Sequence, residues 1–313
     1  MFEKVLFPTD LSKYALKVLD YLDQIPGIRE VVLFHVIDLT PSHASSQGPQ
    51  IMGAILDEAE ARLKEQKVYL EEKGLKAKMD LGLVRGDLDS GFDLLRLYPE
   101  IEMIEGADLA DAIQKAADIE GTSLVAIGAA GKGFIRGTSI GRSSAEVLKS
   151  GKTDLLIFRP KVHNKGYSTI DRFYSNIFGR VLCPMDFSKP SEEVLSLVRS
   201  MTDINEVALV HVIDGKQHPN DIDFKSREAA SILQQHAKDL EEAGLDVTVH
   251  VLQGDPAQEL VLAVERIQAS MIIMRSQGEG WSEHTGLGRV AFDVARIASR
   301  PVLMVKQYCD LSH

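Results

Sequence analysis

Cysteine is nearly absent. The 313 residues hold only Cys183 and Cys309, so a disulfide framework is excluded and a reducing, cytoplasmic setting is the expectation. Cys183 lies in a predicted core strand and reads as packing rather than chemistry. No apolar run approaches the roughly 20 residues of a membrane-spanning helix. The opening Met1-Phe2-Glu3-Lys4 is a charged lead into a short strand, not a secretion signal. Positive charge is in deficit: 35 Lys and Arg face 46 Asp and Glu, a formal net charge of −11. That balance argues against a basic face for nucleic acid or anionic membrane. Signatures of chemistry are missing as well. The nine histidines carry no H-E-x-x-H or C-x-x-C companion, and there is no G-x-S-x-G elbow. No metal site and no catalytic residue is therefore expected.

What is present is an ordinary 44% of hydrophobic residues on a chain long enough for two cores. The chain contains itself twice. Val5-Leu6-Phe7-Pro8-Thr9-Asp10-Leu11-Ser12 returns as Val181-Leu182-Cys183-Pro184-Met185-Asp186-Phe187-Ser188, and the strand ending His35-Val36-Ile37-Asp38 returns as His211-Val212-Ile213-Asp214. Asp10 and Asp186 lie 176 residues apart, as do His35 and His211. Later matches, Gly131 with Gly278 and Gly141 with Gly288, are only 147 apart. The shortfall locates an insertion in the first half at about residues 88–106. It carries Phe92, Leu94, Leu95, Leu97 and Tyr98, and a short helix is expected there.

Short apolar runs such as Leu124–Ile127 and Met271–Met274 suit strands buried on both faces, which means a parallel sheet. Strands are expected near 3–8, 30–37, 76–84, 123–128 and 154–158, with helices near 11–24, 51–73, 108–120 and 142–150. The second-half strands fall near 179–184, 206–213, 246–252, 270–275 and 301–306. The fold class is α/β: two tandem doubly wound, Rossmann-like parallel-sheet domains. They cover 1–159 and 179–313, joined by a linker over 160–178.

One stretch organises each half. The strand Leu124-Val125-Ala126-Ile127 runs into Gly128-x2-Gly131-x9-Gly141, and a helix starts at Arg142-Ser143-Ser144. Glycines let the backbone approach a ligand, and the unpaired N–H groups of the helix start favour an anion. The loop is not a Walker A motif, because Gly133 follows Lys132 and Ala126 stands where the first glycine would be. It resembles the nucleotide loop of the universal stress protein family, G-x2-G-x9-G followed by Ser or Thr. Arg142 departs from that pattern but can offer phosphate a charged fork if its side chain folds back over the loop, and Ser143 and Ser144 after it can supply the missing hydroxyl. With the repeated Pro-x-Asp-x-Ser and His-Val-Ile-Asp strands, nearly the whole chain resembles a tandem universal stress protein.

The resemblance implies that Pro8, Thr9 and Asp10 lie beside the adenine and ribose, that Val36 offers backbone hydrogen bonds to the base, and that Gly128, Gly131 and Gly141 cradle phosphate. Asp10 can also cap the helix expected near Leu11, and the two roles can coexist. In the second half Asp186, Val212, Gly278 and Gly288 survive. Arg275 fills the first glycine slot, and Arg289, Val290 and Ala291 leave no hydroxyl there. His35 and His211 read as histidines with hydrogen-bonded rings in buried strands.

The expected ligand is ATP or AMP, bound chiefly by the first domain, with Mg2+ accompanying ATP. The protein would then be a nucleotide-responsive module of the stress response. A slow ATPase and a nucleotide-free scaffold are the rival readings. The last strands, Leu155–Phe158 and Val302–Val305, are sheet edges. In the family such edges pair across a dimer, so an internal pseudo-dimer is expected, and a further homodimer stays open.

Overall fold

The computed structural model describes residues 1–38, 49–84, 102–129, 140–159, 176–215, 219–278 and 287–306. They form two compact units, Met1–Thr153 and Asp154–His313.

The first unit carries strands β1 (Lys4–Pro8), β2 (Glu30–Asp38), β3 (Lys76–Val84), β4 (Glu102–Gly106) and β5 (Leu124–Gly128). Its helices are α1 (Lys13–Leu19), α2 (Pro49–Glu72), α3 (Leu109–Glu120) and α4 (Arg142–Ser150). All neighbouring strands are parallel, in the order β4-β3-β2-β1-β5. Val5, Leu6 and Phe7 of β1 and Val31 to Phe34 of β2 are fully buried, as expected for strands covered on both faces. The chain moves outward from β1 to β4, then returns to place β5 on the other side of β1. That reversal leaves a crevice beyond the carboxyl ends of β1 and β5.

Two expectations are corrected here. The helix expected over 11–24 is shorter. Ser12 caps α1 through its side-chain oxygen, and a separate 3-10 turn follows at Leu22–Gln24. Part of the insertion is strand rather than helix: β4 pairs in parallel register with β3, from Asp80 opposite Glu102 to Val84 opposite Gly106. The apolar residues from Phe92 to Tyr98, where the helix is expected, lie outside the described residues. Next comes α3, capped by Asp108 and ended by Gly121 in the left-handed conformation at φ 60°.

A half-buried ionic cluster ties this unit together at the opposite end of the sheet. Glu120 at the end of α3 accepts from Lys4 Nζ of β1 and Lys78 Nζ of β3, each at 2.6 Å. Burial pushes the Glu120 carboxyl up, but the two ammonium groups outweigh it and hold it below its ordinary range.

The second unit repeats the plan with β7 (Arg180–Pro184), β8 (Glu206–Asp214), β9 (Asp246–Gly254), β10 (Met271–Arg275) and β11 (Val302–Val305). Its helices are α5 (Lys189–Ser200), α6 (Pro219–Glu241), α7 (Pro256–Ile267) and α8 (Arg289–Ile297). This unit also holds β6 (Asp154–Phe158), the strand expected to close the first half. The order is β6-β11-β10-β7-β8-β9. β6 runs antiparallel to β11, with Ile157 opposite Val302 and Leu155 opposite Met304. Residues 160–175 of the expected linker lie outside the described residues. Its end is not linker: Ile177 and Phe178 are fully buried, and Ser270 Oγ donates to the Ile177 carbonyl at 2.9 Å. Among the described residues no helix is long and apolar enough to cross a membrane.

Candidate functional site

Each copy builds the same turn after its first strand. Thr9 N–H donates to the Phe34 carbonyl at 2.9 Å, and Met185 N–H to the Val210 carbonyl at 2.9 Å. Each extends the strand pairing by one residue. The chain then reverses through a left-handed residue, Leu11 at φ 59° and Phe187 at φ 62°. Asp10 Oδ1 accepts from Ser12 N–H at 3.0 Å, and Asp186 Oδ1 from Ser188 N–H at 3.1 Å. Ser12 and Ser188 cap the helices that follow, so Asp10 is not the N-cap. Its carboxylate holds the turn two residues upstream and stays half-buried at the crevice.

The histidines fix this turn from the neighbouring strand. His35 Nδ1 lies 2.7 Å from the Thr9 carbonyl and His211 Nδ1 2.7 Å from the Met185 carbonyl. A carbonyl only accepts, so Nδ1 carries the proton in both rings. Both side chains are half-buried rather than buried. The His211 ring also stacks on Phe187, with centroids 4.4 Å apart. Their shared offset in the two copies was the signal for a common role. That the role is to hold the turn depends on strand register, which spacing alone does not give.

The glycine loops begin and end alike. Gly141 N–H donates to the Ala129 carbonyl at 2.8 Å, and Gly288 N–H to the Ser276 carbonyl at 2.7 Å. Gly141 and Gly288 stand at the starts of α4 and α8, and neither helix has a side-chain cap. Neither N-cap residue thus supplies a side-chain acceptor to the first-turn N–H groups. Ser144 Oγ donates to the Gly128 carbonyl at 2.8 Å, which spends its proton on the loop, while Ser143 is exposed. Arg142 opens α4. Gly131 lies outside the described residues.

In the second unit a cavity of about 300 Å³ opens at the carboxyl ends of the strands. Asp186, Val212, Gly278 and Gly288 all line it, with His211 and Arg275. A Cβ on Gly278 would meet Asp186 Oδ2, so a larger residue there would have to displace the carboxylate. Arg275 is buried, and its Nη1 lies 3.9 Å from Glu193 Oε2 of α5. Its charge thus faces a carboxylate at the cavity wall. In the first unit Pro8 ends β1 and Thr9 and Asp10 follow it, Val36 lies on β2, and Gly128 ends β5 near Gly141. Among the described residues no group of three His, Cys, Asp or Glu side chains is placed to hold a metal ion.

Comparison with known proteins agrees with this architecture. The universal stress protein family model matches residues 1–159 and 178–306. The universal stress protein MJ0577 of Methanocaldococcus jannaschii is 28% identical over 158 residues, covering 42% of this chain and 98% of that protein. A second protein of that organism, universal stress protein MJ0531, is 36% identical over 80 residues, 26% of this chain and 47% of its own length. The solved structure of a universal stress protein from Archaeoglobus fulgidus covers 98% of this chain and 97% of its own, with a TM-score of 0.66 at 24% identity. The chain belongs to the universal stress protein family, with two matched domains in tandem.

Proposed function

We propose that the protein binds an adenine nucleotide at the carboxyl ends of its strands and works as a nucleotide-responsive module of the cytoplasmic stress response. The observation that carries this is the convergence of Asp186, Val212, Gly278 and Gly288, far apart in sequence, on one cavity. ATP or AMP is the ligand class. The uncapped starts of α4 and α8 suit its phosphates, and Asp10 or Asp186 suits the ribose hydroxyls. Mg2+ would come with ATP, held mainly by the phosphates.

The first domain is the main site in this reading. It keeps glycine at residue 128, where the second has Arg275, and the exposed Ser143 hydroxyl beside the loop end. In the second, Arg275 crowds the cavity wall and Asp186 leans on Gly278. The β6–β11 pairing joins the last strands of the two sequence copies, which supports an internal pseudo-dimer.

Two measurements test the proposal. Mass analysis of small molecules released from the purified chain should show an adenine nucleotide, and calorimetric titration should show ATP or AMP binding. Gly141→Val should remove most of that binding and Gly278→Val a lesser part. No released nucleotide and no affinity would leave only the scaffold reading. Steady phosphate release that disappears in Gly141→Val would instead make the protein a slow ATPase.

A further inference from the structure

The two units differ at one sheet edge. In the first, β4 lies along β3, and Leu81 to Val84 are buried beneath it. In the second, β9 ends the sheet, and no described residue pairs with its outer side. β9 is nine residues long, and every one of them is half-buried or exposed. Its sequence, Asp246-Val247-Thr248-Val249-His250-Val251-Leu252-Gln253-Gly254, alternates valines and contains no Lys, Arg or Pro. Free edges are normally guarded by such residues, by bulges or by shortness. This one has none of those guards.

A hollow of about 320 Å³ runs beside the edge, lined by Thr248, His250 and Leu252 of β9, Ala263 and Ile267 of α7, and Arg180 of β7. Its origin is visible in the first copy. There, Lys78 and Glu120 occupy the places of Thr248 and Ile267 and fill the space with an ion pair. The shorter, uncharged side chains of the second copy leave the space open.

We propose that β9 is a homodimer interface, in which two chains add their β9 strands antiparallel about a two-fold axis at His250. Antiparallel pairing is what a two-fold axis across an edge demands, and such isologous contacts are the commonest in oligomers. The side-chain pattern fits a second copy. In this register Asp246 faces Gly254, Val247 faces Gln253, Thr248 faces Leu252 and Val249 faces Val251, so the strand's single carboxylate faces a glycine. The partner's Leu252 arrives opposite Thr248, at the hollow. The flanking Arg180 is held by Glu206 within its own chain. The proposal is independent of nucleotide binding.

The test uses the full chain with Cys309→Ser, leaving only the buried Cys183. Sedimentation velocity across a concentration series should show a reversible dimer. Thr248→Lys restores the residue the first copy carries at this place, so the fold should tolerate it. It should weaken the dimer at least tenfold. A cysteine at the axis should cross-link to itself, because facing Cα atoms lie within disulfide reach. His250→Cys should therefore give a covalent dimer under mild oxidation, whereas Asp246→Cys, far from the axis, should not. A wild-type chain that stays monomeric, or a dimer in which residues 250 and 246 cross-link equally, would overturn the proposal.

Discussion

Leu11 and Phe187 hold left-handed backbone at the same place in both copies, a conformation that costs a residue with a Cβ about 1–2 kcal/mol. The turn keeps it because three bonds converge there: the strand extension at Thr9 or Met185, the histidine to its carbonyl, and the aspartate to the serine two residues on. The usual ranking of small residues should therefore invert. Leu11→Gly and Leu11→Ala both lose the buried side chain, yet the glycine variant should be the more stable by about 1 kcal/mol. Urea denaturation of the pair measures it, and an alanine variant equal to or better than glycine would refute the strain account. Cys183 offers a second check at this scale. Burial alone pushes its thiol up to about 12, so almost no thiolate forms near neutral pH. In the Cys309→Ser background, alkylation of Cys183 should wait for unfolding, and rapid labelling of the native chain would contradict its place in the core.

At the scale of elements, β1, β3 and α3 are joined through Glu120. Its carboxyl is held below the ordinary value of 4.5 once the lysines outweigh burial. The stabilisation is therefore complete above about pH 4.5 and is lost as the pH falls through the lower folded value. Lys4 gives the opposite limit. Burial pulls it down, but Glu120 and Glu30 outweigh that and raise it above 10.5, so its share is lost only above that pH. Glu120→Gln should cost about 1–2 kcal/mol at neutral pH, reduced because both lysines are partly exposed. That deficit should shrink below pH 4.5. Guanidinium melts of the two proteins from pH 3 to 7 would show it. A deficit that persists unchanged at pH 3 would mean that packing, not charge, carries the effect.

For the molecule as a whole, the compact units do not divide where the sequence copies do. The family match to the first copy runs to residue 159, while the second compact unit begins at Asp154. β6 is buried along its length, and Leu155 to Phe158 contribute apolar surface against β11. A fragment 154–313 should therefore be several kcal/mol more stable than a fragment 176–313 that lacks β6, since each fully buried large side chain contributes about 1.5–3 kcal/mol. Thermal or urea unfolding of the two fragments decides it. Equal stability would show that the second copy needs only its own five strands.

The amino-acid sequence by itself determined the duplication, the parallel α/β class and nearly every strand boundary. Continuous apolar runs and glycine punctuation are local properties, and each copy checks the other. It also brought out Asp186, Val212, Gly278 and Gly288, which the fold gathers around one cavity. It did not bring out β4, because a five-residue edge strand has too little periodicity to stand out from its surroundings. Tertiary structure alone decided which unit β6 joins, since strand partners are chosen by contacts between residues far apart in sequence. It alone decided that Ser12 rather than Asp10 caps α1, because backbone direction at Leu11 settles which oxygen reaches the helix N–H groups. It also decided that one outer edge is covered while no described residue covers the other, for an edge exists only once the sheet has closed around its neighbours.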